Sequence, residues 1–163
     1  MARPVHLPNL TTREAIQDAV YRCIIGFDRH DHEMFESSMT GEDAVFELKI
    51  GSGEPQITTG VTAMKEGVLK AVGPLDTLHV VSNFRTNYTE GANTASLTAY
   101  AQAQHCPPGR GAEPDGPKFM SGGEYRVDLV KDESDGLWKA WRFVVDIIWV
   151  QGDPSVMQSA HSE

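Results

Sequence analysis

Ile16, Ala19, Val20, Cys23, Ile24 and Phe27 recur at the three- and four-residue spacing of one helical face. Thr11 or Thr12 caps that helix, with Glu14 in its first turn. Before it, residues 1–10 read as an extended arm, because Pro4 and Pro8 block a helix. Asp31 caps a second, short helix carrying Met34 and Phe35. Residues 43–50 are β-like, Gly51, Ser52, Gly53 and Pro55 make a turn, and 56–59 forms a short partner strand. Residues 61–72 predict a third helix, stopped by Gly73 and Pro74. Long strands follow at about 76–89, 93–106, 118–131 and 137–150, joined by turns rich in Gly, Asn and Asp.

Two-residue alternation marks the strand faces. Ala95, Leu97, Ala99, Ala101 and Ala103 lead to His105 on one face, whose small side chains either leave room for a ligand or admit a close-packed helix. Phe119, Tyr125, Val127 and Leu129 share a face of the next strand. Trp141, Phe143, Val145, Ile147 and Trp149 form a stripe on the last one, serving as core, as subunit interface or as ligand contacts. The Pro/Gly-rich segment 106–117 reads either as a loose hairpin connection or as a flap over a cavity mouth. Helices followed by a run of antiparallel strands indicate the α+β class. The organisation is an arm (1–11), one domain (12–150) and a tail (151–163).

The chain has 163 residues, 40% of them hydrophobic, enough for one domain with a real core. Fourteen Lys and Arg against twenty-three Asp and Glu leave a formal charge of -9. That balance argues against nucleic acid or anionic lipid as a partner and suits a neutral or apolar small molecule. No run of 18 apolar residues and no signal-peptide core is present, so a cytoplasmic protein without a membrane partner is expected. Cys23 and Cys106 make neither a CxxC motif nor a disulfide framework. Asp28, His30, Asp31 and His32 invite a metal reading. However, His30 and His32 lie two apart, which on a helix turns them away from each other, so no metal is expected.

The motifs IIGFDRHDHEMF (24–35), LDTLHVVSNFR (75–85), GGEY (122–125), DGLWK (135–139) and DIIW (146–149) fall in order on these elements. Together they resemble the SnoaL-like, or nuclear-transport-factor-two-like, superfamily over residues 12–150, and within it scytalone dehydratase and hexachlorocyclohexane dehydrochlorinase. The resemblance implies a cone-shaped barrel, a strongly curved antiparallel sheet wrapped around the N-terminal helices. It puts Asp28 in the place of a catalytic aspartate and His79 in that of a catalytic histidine. It also matches His105 to a second histidine of scytalone dehydratase and sets Tyr125 on a ligand-facing position. Phe27, Leu48 and Cys23 stand where those relatives carry tyrosine, tyrosine and lysine.

Asp28 extends the buried stripe into the last helical turn, facing the negative end of the helix dipole. A carboxylate there needs a cationic or hydrogen-bond-donating partner, which His79 can be. In such a pair the carboxylate fixes one ring nitrogen and leaves the other as a base or acid near neutral pH. The plain alternative is a surface carboxylate at a helix end and a satisfied core histidine. With the resemblance, the expectation is a cofactor-independent lyase or isomerase of a small, apolar, oxygenated ring compound. Asp28 and His79 would be catalytic, and His105, Tyr125, Phe143, Val145, Ile147 and Cys23 would contact substrate. A cyclase working by shape and a non-catalytic binding module are the rival readings. A homodimer or trimer is expected from the apolar run at Trp149 and Val150.

Overall fold

The computed structural model describes residues 4–161. Helix α1 (Thr12–Arg29) opens with a capping box: Glu14 N–H donates to the Thr11 hydroxyl, and the Glu14 carboxylate accepts from Thr11 N–H. It stops at His30, which takes a left-handed conformation (φ 51°) and closes the helix through bonds to the Gly26 and Phe27 carbonyls. Asp31 then caps helix α2 (His32–Glu36), accepting from Met34 N–H at 3.0 Å. Gly26 lies flush against Phe35; a Cβ there would come within 2.6 Å of the Phe35 Cβ, so the two helices pack with no gap.

Strands β1 (Val45–Ile50) and β2 (Gln56–Thr59) form a hairpin. Helix α3 covers residues 61–72. It is α-helical at Val61–Met64, π-helical across Lys65–Leu69 and α-helical again at Lys70–Val72. Strands β3 (Asp76–Tyr88), β4 (Thr94–Cys106), β5 (Phe119–Lys131) and β6 (Trp138–Gly152) then form a long meander. The sheet order is β2-β1-β6-β5-β4-β3. All neighbours run antiparallel except β1 and β6, which are parallel. The sheet is open, with β2 and β3 at its edges. The buried face of α1 and the inner face of the sheet share one core that includes Ile16, Val20, Phe35, Leu129 and Phe143.

Three bulges bend this sheet. One sits at Asn83 (φ 57°) in β3 and two lie in β6, where Ile148 and Trp141 are the unpaired residues. Each adds a residue to one strand and switches which parity faces inward. The inner residues of β3 are therefore Thr77, His79 and Val81, then Phe84, Thr86 and Tyr88. On β6 they are Trp138 and Ala140, then Phe143, Val145 and Ile147, then Val150. The expected stripe on β6 thus fails at both ends. Trp141 is turned out to solvent, and Trp149 lies on the outer face with its indole over Gly122.

The final strand leads into a 3₁₀ helix (Pro154–His161), which seats Val156 at 2% exposure against the body of the domain. The 106–117 loop goes the other way. Gly111 N–H donates to Asp76 Oδ2 at 2.7 Å, which ties the loop beside an outer-face hollow formed by Leu78, Val80 and Met120. None of residues 107–117 lines the inner cavity, so the flap reading gives way to the C-terminal 3₁₀ helix as the cover at that end. No helix among the described residues is long and apolar enough to cross a membrane.

Candidate active site

The register explains where space remains. Across β3, β4, β5 and β6, the inner rungs read Thr77–His105–Phe119–Gly152, His79–Ala103–Ser121–Val150, Val81–Ala101–Gly123–Ile147 and, on three strands, Ala99–Tyr125–Val145. Alanine, serine and glycine in the middle of these rungs leave a hollow floor. Above it is a cavity of about 380 Å³, walled by Phe27 of α1, Leu48 of β1, Val68 and Val72 of α3, and Pro154 and Met157 of the 3₁₀ helix. The π-helical turn in α3 falls at this wall, a common place for such turns.

Asp28 and His79 meet at the edge of the cavity, each with its side chain 8% exposed. Both carboxylate oxygens serve the one residue. Oδ2 accepts the His79 backbone N–H at 3.0 Å, and Oδ1 lies 2.6 Å from its Nδ1. An ionised carboxylate can only accept, so Nδ1 carries the proton. Nε2 is then the free ring nitrogen, with the ring in the cavity wall and Phe27 at a centroid distance of 6.0 Å. The positioning begins in α1. The left-handed turn at His30 lays its ring on Gly73, where a Cβ would come within 2.5 Å of His30 Cδ2. This contact ties the end of α1 to the end of α3, just before β3 starts. The same turn brings His30 and His32 together, with ring centroids 5.0 Å apart, contrary to the divergence expected from a continuous helix. Burial and the neighbouring His32 hold His30 below the usual imidazole range.

His105 stands beside the dyad, its ring edge-on to His79 at 5.4 Å and stacked on Phe119 at 6.3 Å. Its Nδ1 bonds the Thr77 hydroxyl at 2.8 Å, between directly opposed residues on β3 and β4. Burial pulls the His105 pKa down to about 4; nearby His79 adds to this and Asp28 opposes it. This imidazole is neutral near pH 7. Tyr125 lines the same space and stands edge-on to Phe143 at 5.2 Å, with burial pushing its phenol well above the ordinary value.

Of the other expected contacts, Val145 and Ile147 line the cavity, whereas Phe143 and Cys23 do not. Phe143 lies one rung deeper than Val145, level with Leu97 and Val127 and stacked on Phe46, which itself reaches the cavity wall. Cys23 is fully buried on α1, and burial pushes its thiol up to about 12. Several lining residues carried little sequence signal: Ser121, Gln56, Val68, Val72 and Met157. Ser121 alone was within reach, since it shares parity with Tyr125 on β5.

Residues 8–144 match the SnoaL-like domain family. The chain is 39% identical over 156 residues to terrestric acid biosynthesis cluster protein E of Penicillium crustosum, covering 95% of this chain and 96% of that one. Among solved structures it resembles a candidate aromatic ring hydroxylase of Novosphingobium aromaticivorans (26% identity, TM-score 0.69, 89% of this chain and 95% of that one). A candidate scytalone dehydratase of the same organism shares the fold at 20% identity and TM-score 0.66, over 86% and 87% of the two chains. So does a hexachlorocyclohexane dehydrochlorinase, at 16% identity and TM-score 0.64, over 87% and 88%.

Proposed function

Because the chain belongs to the SnoaL-like domain family, we propose that it is a cofactor-independent lyase or isomerase acting by proton transfer on a small oxygenated compound of secondary metabolism. The observation that carries this reading is the double engagement of His79 by Asp28 at the wall of a largely apolar cavity. Nε2 of His79 takes a proton from the carbon next to a substrate carbonyl, and the electrons move into the carbonyl as an enolate. The imidazolium is stabilised by Asp28 through Nδ1–H. It then returns the proton. Delivered to a β-hydroxyl, the proton leaves with it as water and a carbon–carbon double bond remains. Delivered to another carbon, it gives an isomer. In both cases His79 ends neutral. Neutral His105 and Tyr125 hold substrate oxygens.

The relative from Penicillium crustosum is named for a biosynthetic cluster, which supports a biosynthetic intermediate as substrate. The test is to incubate the protein in D₂O with a panel of cyclic β-hydroxy ketones and β-keto lactones. NMR then follows deuterium entry at the α-carbon and loss of the hydroxyl. Exchange in the native protein that disappears in His79→Ala is expected. Exchange that persists in His79→Ala would remove His79 from the chemistry.

A further inference from the structure

Two hydroxyls of the cavity have no role in the dyad. Ser121 and Tyr125 are 9% and 6% exposed, and both line the cavity. Among the described residues, neither side chain makes a hydrogen bond to protein. No fully enclosed side-chain nitrogen or oxygen lacks a partner there either, so each hydroxyl opens onto the cavity. A nine-tenths buried hydroxyl facing an apolar cavity loses hydration unless something in the cavity bonds to it.

Their placement is regular. They lie four residues apart on β5, both inward, with Cα atoms about 13 Å apart at the usual strand rise. The inward position between them is Gly123. A Cβ there would strike the Asp146 carbonyl beside the β6 bulge, so the gap stays without a side chain. Ser121 shares its rung with His79, and only the methyl of Ala103 stands between them. Tyr125 rises from the next-but-one rung toward α1, near enough for Cys23 and Asp28 to act on its phenol. No Lys or Arg lines the cavity among the described residues. The oxygens that belong here are therefore neutral carbonyls or hydroxyls, not carboxylates or phosphates.

We propose that Ser121 and Tyr125 form a two-point clamp that binds two neutral oxygens at separate ends of one substrate, laying its carbon skeleton along β5 with one end beside His79. This rests on the reading of the cavity as the substrate site and adds its orientation rule: a dioxygenated skeleton is selected over a mono-oxygenated one. Ser121 and Tyr125 set specificity, whereas the proton transfer belongs to His79.

The probes are 2,6-dihydroxynaphthalene, 2-naphthol and naphthalene, with affinities measured by calorimetry or probe fluorescence. The native protein should bind the diol most tightly and naphthalene most weakly. Ser121→Ala and Tyr125→Phe should each weaken the diol about threefold to tenfold, the scale of one net hydrogen bond. The two losses should multiply in the double variant, and naphthalene should change by less than about twofold. 2-Naphthol should depend on one of the two residues and not on the other. A diol that binds no better than naphthalene overturns the clamp, as do variants that weaken naphthalene as much as the diol. The full diol pattern without proton exchange in the native protein would leave the clamp standing and remove the catalytic reading. Exchange with a flat response to the diol would do the reverse.

Discussion

Replacing His105 with Gln tests the environment of the second imidazole without any substrate. In the folded protein its pKa is pulled down to about 4, first by burial and then by His79. In the unfolded chain it returns to about 6.5. Between those values the unfolded state holds a proton that the folded state refuses. Stability is therefore unaffected above about pH 6.5, falls as pH drops through the window, and levels off below about pH 4. The whole window is worth on the order of 3 kcal/mol, at 1.36 kcal/mol per unit. At pH 5 about 2 kcal/mol of that is already lost. For a chain of this size it corresponds to roughly 4–8 °C in Tm. Urea unfolding of the native protein and His105→Gln at pH 7.5 and pH 5 gives the double difference, in which the other titrating groups cancel. The native protein should lose about 2 kcal/mol more than the variant. Equal losses would mean that the folded His105 ionises freely, and the neutral-donor role would fall with it.

Three further outcomes are expected. Asp28→Asn and His79→Ala should each lower kcat about a hundredfold to ten-thousandfold on a substrate found by the exchange screen, and the double variant should be scarcely worse; losses that multiply would show two independent residues. Arg22 bonds Asp18 at 2.8 Å, the Trp138 carbonyl at 2.6 Å and the Ser37 carbonyl, all under cover, so Arg22→Met should cost about 3–5 kcal/mol by urea unfolding, and a change below about 1 kcal/mol would refute a strong staple. The outer face exposes Leu78, Val80, Tyr100 and Trp149 together, so the native protein should sediment as a dimer or trimer at micromolar concentration and Val80→Glu should shift it toward monomer; a monomeric native protein would refute this.

The stripe of α1 and the small-residue face of β4 were legible because both are local: a helix face and an unbroken strand keep their period whatever lies opposite. The ends of the β6 stripe were not. Bulges at Trp141 and Ile148 are set by how β5 pairs with β6, and nothing near those residues announces them. The buried Arg22 was hidden for a related reason. It sits on the core-facing side of α1, where Asp18 one turn earlier pairs with it, and the carbonyls of Ser37 and Trp138, outside that helix, complete its hydrogen bonding. His30 and His32 were misjudged because the two-residue rule assumes a continuous helix, and His30 ends one. Asp28, His79 and Tyr125 were singled out through family motifs and His105 through its place at the end of β4; the approach of Asp28 to His79 depends on the β3 register and on the contact between His30 and Gly73.

The bond from His79 N–H to Asp28 has a second meaning, because β3 is the last strand of its sheet. A thirteen-residue edge strand with Leu78 and Val80 exposed is a template on which another chain can add a strand. Asp28 occupies one of its free amides with a charged group, which is a standard guard against such recruitment. The carboxylate that holds the imidazole thus also takes up an amide that an added strand would need. Asn can still accept from that amide, whereas Ala leaves it bare. Solubility on heating should therefore separate Asp28→Ala from Asp28→Asn, with the alanine variant the more prone to aggregate.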